Sequence, residues 1–96
     1  RILAELSALD GRVQGAELAG AVSALLKRVA LTRFHRAEVA PLTGQAWLEF
    51  LDRHGGAGRF RAGPGQALAE GPYAPQQDLD TRALLDLARD WVRRNT

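Results

Sequence analysis

Apolar residues recur along this 96-residue chain at helical rather than strand spacing. From about Ala16 to His35, Leu18, Val22, Leu25 and Val29 step by four, three and four, which places them on one stripe of an amphipathic helix with Leu26 at its edge. Leu31 and Phe34 fall off that stripe, so the last turns of this helix must meet a second neighbour or present apolar surface. Residues 2–9, ILAELSAL, predict a shorter helix that ends in the turn chemistry of Asp10-Gly11.

Glu38 to Pro41 predicts a break, because Pro41 lacks an amide donor and biases Ala40 away from helical dihedrals. A new helix is expected from Thr43, whose hydroxyl can accept from a free first-turn amide, with Ala46, Trp47, Phe50 and Leu51 on its inner face. Gly55-Gly56 is expected to close it. The glycine-rich stretch 55–65, GGAGRFRAGPG, predicts the most mobile loop, followed by a short helix around Gly65 to Glu70. Gly71-Pro72-Tyr73-Ala74-Pro75 reads as a rigid turn that folds Tyr73 back on the core. A last helix from Asp80 to about Arg94 has an acidic N-cap, Asp78 nearby, and Leu84, Leu85, Leu87, Ala88, Trp91 and Val92 on one broad face. With no strand, repeat or linker in the pattern, the expected fold is all-α, a compact bundle of four or five helices with one glycine-rich loop. Trp47, Phe50, Leu51 and Trp91 are its expected core elements.

Composition adds three constraints. At this length the chain can build one core and not two, so residues 1–96 are read as a single domain. Cysteine is absent, which excludes a disulfide framework and zinc–thiolate chemistry and favours a reducing compartment. There is no Met and no apolar run long enough to span a bilayer or serve as a signal peptide, so the chain is read as a fragment of a longer protein. The isoelectric point of about 9.9 suggests nucleic acid, yet 13 basic side chains face 11 acids and the net charge is only +2.

The arrangement of the charges weakens that suggestion further. Lys27, Arg28, Arg33 and Arg36 point in different directions around the long helix. Arg82, Arg89 and Arg93 share a face of the last helix, but Asp86 lies among them and Asp90 is close to Arg93 and Arg94. A salt-bridged outer face is the expectation there, and a nucleic-acid-binding helical domain is the alternative reading.

Candidate chemistry is sparse. Glu49 and Asp52 fall opposite Trp47, Phe50 and Leu51, so both acids are expected in water, with Glu49 able to pair with Arg53 one turn later. A small hydrolase built on Glu49, Asp52 and His54 would need those side chains to converge. His35 and His54 are expected to cap helix C-termini, and two lone histidines match no metal-ligand spacing. Ser7 and Ser23 sit within helices, outside any nucleophile-elbow context. The segment GRFRAG has the glycine spacing of a phosphate loop, but Pro64 stands where the lysine belongs. No catalytic residue, cofactor or metal is assigned. Arg59, Phe60 and Arg61 remain the candidate partner-binding residues, because guanidinium forks beside an aromatic make good interface anchors. The competing reading has Phe60 plugging the edge of the bundle and the arginines solvated.

The succession LLKRVALTRF, RAEVAPLTGQAWLEFLD, the glycine-rich loop, GPYAP and LLDLARDWVRR resembles the cytoplasmic domain of a bacterial family of unknown function. These are small single-pass inner-membrane proteins encoded beside MoxR-type AAA+ ATPases and von Willebrand factor A-domain proteins of the Bat aerotolerance type. The resemblance spans nearly the whole chain, and Leu42-Thr43-Gly44 followed by Trp47 and Leu51-Asp52 is its most specific part. It implies an N-terminal membrane span outside this chain and a domain on the cytoplasmic side of the inner membrane. It also implies a non-enzymatic adaptor role whose protein partner is a MoxR-type ATPase or a von Willebrand A-domain protein. The family brings no catalytic residues to carry over.

Overall fold

The computed structural model describes residues 1–69 and 80–96. Five α-helical segments follow one another, α1 (Ile2–Leu9), α2 (Gly15–Arg33), α3 (Arg36–Val39), α4 (Gly44–Leu51) and α5 (Thr81–Arg94). A π-turn (Asp52–Gly56) extends α4, and a 3-10 turn (Pro64–Ala69) follows the glycine-rich loop. There is no strand among the described residues, and the architecture is the all-α bundle that the periodicity implies. None of the described helices is long and apolar enough to cross a membrane.

The stripe of α2 organises the core. Leu18, Val22, Leu25, Leu26 and Val29 are buried, joined by the small Ala19 and Ala30, which let neighbouring helices approach. Helices α1, α2 and α5 pack against one another. Leu6 is the fully buried contribution of α1, while Glu5 pairs with Arg28 at 2.9 Å and Ser7 Oγ accepts from Arg89 at 3.4 Å, so polar contacts tie α1 to both partners. The six apolar residues expected on one face of α5 are all buried. Its N-cap forms as the sequence implies: Asp80 Oδ1 accepts from the Ala83 amide at 3.0 Å. Asp78 and the whole Gly71–Pro75 turn, Tyr73 included, lie outside the described residues.

Helix α4 closes the other side of α2. The Trp47 indole donates to Ser23 Oγ at 2.9 Å, and Lys27 Nζ donates to the Leu42 carbonyl at 2.6 Å while lying 4.9 Å from the centre of the Trp47 ring. Trp47 stacks on Phe50, and Phe34 meets Phe50 edge-on with ring centres 5.1 Å apart. Phe34, off the α2 stripe, thus finds its second neighbour in α4.

Several boundaries differ from the sequence reading. The break falls at Phe34 and His35, whose extended backbone ends α2; residues 36–39 then make one helical turn, and Pro41 occupies the following turn. Thr43 is the N-cap of α4 by backbone geometry, but its exposed hydroxyl makes no capping bond. Leu48, not Ala46, joins Trp47, Phe50 and Leu51 in the core, and Ala46 is exposed. Gly55-Gly56 does not simply close the helix. The chain widens into the π-turn, and Ala57 takes the left-handed conformation that ends it.

The two tryptophans predict unequal responses to loss of the indole N–H. Trp91 Nε1 donates to the buried Leu51 carbonyl at 3.0 Å, whereas the partner of Trp47, Ser23 Oγ, is half-buried. Trp91→Phe is expected to cost about 1–3 kcal/mol from the orphaned carbonyl, beyond any change in packing, and Trp47→Phe less. Urea denaturation of both variants measures the difference.

Candidate partner-binding site

A helix leaves its last carbonyls without backbone donors, and at the end of α4 and its π-turn those of Leu51, His54, Gly55 and Gly56 receive side-chain donors, while that of Asp52 takes the Ala57 amide. The Leu51 carbonyl takes the Trp91 indole. The His54 carbonyl takes Asn95 Nδ2 at 2.8 Å, and the same amide donates to the Trp91 carbonyl at 2.9 Å, which explains why a buried Asn ends α5. Arg59 donates from Nε to the Gly56 carbonyl at 2.8 Å and from Nη2 to the Gly55 carbonyl at 3.2 Å. Its Nη2 also meets Asp90 Oδ2 at 2.7 Å, joining the loop to α5.

The loop folds back over this end on a single acid. Asp52 accepts from the Phe60 amide through Oδ1 at 2.9 Å and from the Arg61 amide through Oδ2 at 3.0 Å. These bonds draw Phe60 inward until its ring is 0% exposed. Glycine is required on both sides of the ring. A Cβ at Gly56 would stand 2.4 Å from Phe60 Cδ2 and 2.5 Å from Asp52 Oδ1, and one at Gly65 would stand 2.4 Å from Phe60 Cδ1. The abundance of glycine that suggests mobility instead permits close approach of the chain to a buried ring. Around Arg59 to Gly65 the backbone bonds to itself, Ala62 to Gly58 at 2.9 Å and Gly65 to Arg59 at 3.3 Å, before the 3-10 turn carries Leu68 into the core.

Asp90 lies at the junction of loop and helix. It accepts from Arg59 and from Arg94 Nε, the latter at 2.8 Å, and these two hydrogen bonds, Arg59 first, hold its carboxyl below the ordinary value of 3.8 despite a small opposing effect of burial. Beside the folded loop is an open cleft of about 720 Å³ lined by Gln45, Glu49, Asp52, Arg53, Gly58, Arg61 and Ala62.

A model of the family described as Domain of unknown function (DUF4381) matches residues 1–94. The chain belongs to that family. Comparisons with curated proteins and with solved structures give no match.

Within this DUF4381 domain the residues singled out from sequence separate by role. Phe60 takes its packing alternative: with its ring enclosed, it is not offered to a partner. Arg59 is committed to two carbonyls and Asp90. Arg61 is exposed, and among the described residues only its backbone amide is bound. Trp47, Phe50, Leu51 and Trp91 are buried. Asp52 is not a freely solvated acid, since both oxygens hold the loop. Glu49 is exposed at the cleft, and no ion pair joins it to Arg53 among the described residues.

His54 is not a solvated C-cap. Its ring packs 4.4 Å from Phe34 and 4.6 Å from Phe50, and Nε2 is buried without a hydrogen-bond partner among the described residues. His35 stands exposed at the N-cap of α3 rather than capping the C-terminus of α2. Ser23 and Ser7 accept from Trp47 and Arg89. The salt-bridged face of α5 is present in Arg89–Asp86 at 2.9 Å and Arg94–Asp90. Sequence reasoning missed the roles of Asp52, Asp90 and Asn95 in joining α4 to α5. One signal was legible: Asn95 follows Trp91 by one helical turn, a polar side chain on an apolar face.

Two outcomes follow. Gly56→Ala forces Phe60 or Asp52 to move and is expected to cost about 1–3 kcal/mol, whereas Gly20→Ala, in the middle of α2 with open space around it, should stabilise by roughly 0.5–1 kcal/mol. Thermal and urea unfolding of the two variants tests the contrast. The lowered carboxyl of Asp90 contributes stability above its unfolded-state value, and that contribution is lost as pH falls below about 3.8 towards the folded-state value. With its side chain 33% exposed the effect is modest. Asp90→Asn should therefore lower stability at neutral pH and flatten the acid limb of stability against pH.

Proposed function

We propose that this domain is a non-catalytic protein-interaction module, the adaptor part of a membrane-anchored component that works beside a MoxR-type ATPase or a von Willebrand A-domain protein. The neighbouring proteins, the anchor and the cytoplasmic side of the inner membrane rest on the sequence resemblance. The observation that carries an interaction role is the pre-formed ledge at residues 58–62. Asp52 fixes the Arg61 amide while the Arg61 side chain projects from the wall of an open cleft that Arg53 also lines. A loop held before binding loses little conformational freedom on binding, so its contacts translate into affinity. With Arg53 and Arg61 facing Glu49 and Asp52 in the same lining, the cleft suits a polar partner segment whose carbonyls and carboxylates meet the guanidinium groups while its own donors meet Glu49.

Acid–base catalysis at this end of α4 finds little support. A general base needs a free lone pair and a general acid a mobile proton, both aimed at one point. Each Asp52 oxygen is held by a loop amide, which stabilises the carboxylate and weakens it as a base, and the His54 ring lies between two phenyl rings on the α2 side. Glu49 lines the cleft together with Asp52, whose two oxygens are already engaged by the loop amides.

Co-purification of the intact membrane protein with the ATPase or the A-domain protein tests the reading. Arg53→Glu combined with Arg61→Glu is expected to lower capture by about tenfold or more without changing the unfolding midpoint appreciably. Retention of neither protein, or equal capture by the double variant, removes the adaptor reading. Saturable binding of duplex DNA or single-stranded RNA that weakens steeply with salt would favour the arginine-rich nucleic-acid reading instead.

A further inference from the structure

Residues 59, 60 and 61 send their side chains to three different places from one short stretch of backbone. Arg59 reaches Asp90 on α5, the Phe60 ring enters the core, and Arg61 lines the cleft. Each of the three residues is held. Asp52 binds the amides of 60 and 61, while the Arg59 amide bonds to the Gly56 carbonyl at 3.1 Å and the Arg59 carbonyl accepts from the Gly65 amide at 3.3 Å. The chain passes so close to itself here that a Cβ at Gly63 would stand 2.7 Å from the Arg59 carbonyl oxygen. A backbone restrained at successive residues has little freedom to absorb a movement, so a shift of Arg59 is passed on to residues 60 and 61.

The planar fork of arginine lets one side chain serve three acceptors: Nε meets the Gly56 carbonyl, and Nη2 meets both the Gly55 carbonyl and Asp90. Gly55 and Gly56 belong to the π-turn just before the loop, whereas Asp90 is 31 positions away on α5. Among the described residues, the Arg59–Asp90 contact is the one hydrogen bond that joins residues 57–63 to α5. Its two side chains are 43% and 33% exposed, while the Phe60 ring between the glycines is enclosed. The contact with α5 is therefore the part of the loop's anchorage that dissolved ions reach and screen.

We propose that Arg59 is a relay through which α5 sets how firmly the cleft presents Arg61, so that Asp90, itself outside the cleft lining, is a positioning residue for that site. What Arg61 is presented to rests on the function proposed above; the relay belongs to the unbound protein. Linkage makes the effect reciprocal, and a partner that immobilises Arg61 also tightens the contact between the loop and α5.

Amide hydrogen exchange of the unbound protein tests the relay, because the Phe60 and Arg61 amides, both bonded to Asp52, report opening of the ledge. Asp90→Ala is expected to speed exchange at both amides by about fivefold, the factor set by loss of one partly exposed ion pair. Arg59→Lys keeps the charge but loses the fork, and should speed both amides at least as much. The control is Asp86→Ala, which removes another ion pair of α5, with Arg89, and should leave both rates unchanged because opening of the loop does not break that pair. Added salt should speed exchange at 60 and 61 in the unaltered protein and have little effect in Asp90→Ala. Unchanged rates at both amides in Asp90→Ala, or an equal acceleration in Asp86→Ala, overturns the relay. Exchange needs no partner, so failure of the relay appears there and failure of the adaptor reading appears in co-purification.

Discussion

The carbonyl end of α4 is the constraint on which the arrangement of the remaining elements depends. Buried peptide groups must be paired, and this end is partly withdrawn from water, with Leu51 and Gly56 buried. The donors that satisfy it come from α5 and from the loop: Trp91, Asn95 and Arg59. Meeting those acceptors fixes the axial position of α5, the path of the loop and the placement of Phe60 together. The aromatic group of Phe34, Trp47, Phe50 and His54 then fills the space between α2 and α4 on the other side.

This arrangement gives the acids structural work. Asp52 organises the loop and Asp90 links it to α5, so two carboxylates available in principle for catalysis serve as acceptors within the fold. A loop tied to the helical scaffold results, with Arg53 and Arg61 exposed at the cleft.

The helices were largely legible because periodicity reports directly on burial. The α2 stripe, the α5 face and the Asp80 cap follow from spacing and local capping alone. The Arg89–Asp86 and Arg94–Asp90 pairs were legible for the same reason, since residues three or four apart on a helix are neighbours whatever surrounds them. Local rules failed where local preference was overridden. Thr43 has the residue type of a cap without the bond, and Ala57 adopts a left-handed backbone beside glycines better suited to it, because tertiary contacts at Asp52 set the chain direction there.

Sequence by itself determined the all-α class, the faces of the long helices and the core status of both tryptophans, since each depends on residues a turn apart. Only the tertiary structure decided the loop. Its glycines signal freedom when read one at a time, yet they provide the room that Phe60 needs between Gly56 and Gly65. The bonds from Asp52 to residues 60 and 61 and from Arg59 to Asp90 join positions between 8 and 31 apart in the chain. No periodic pattern encodes such pairs, because they form only when packing has already brought the elements together.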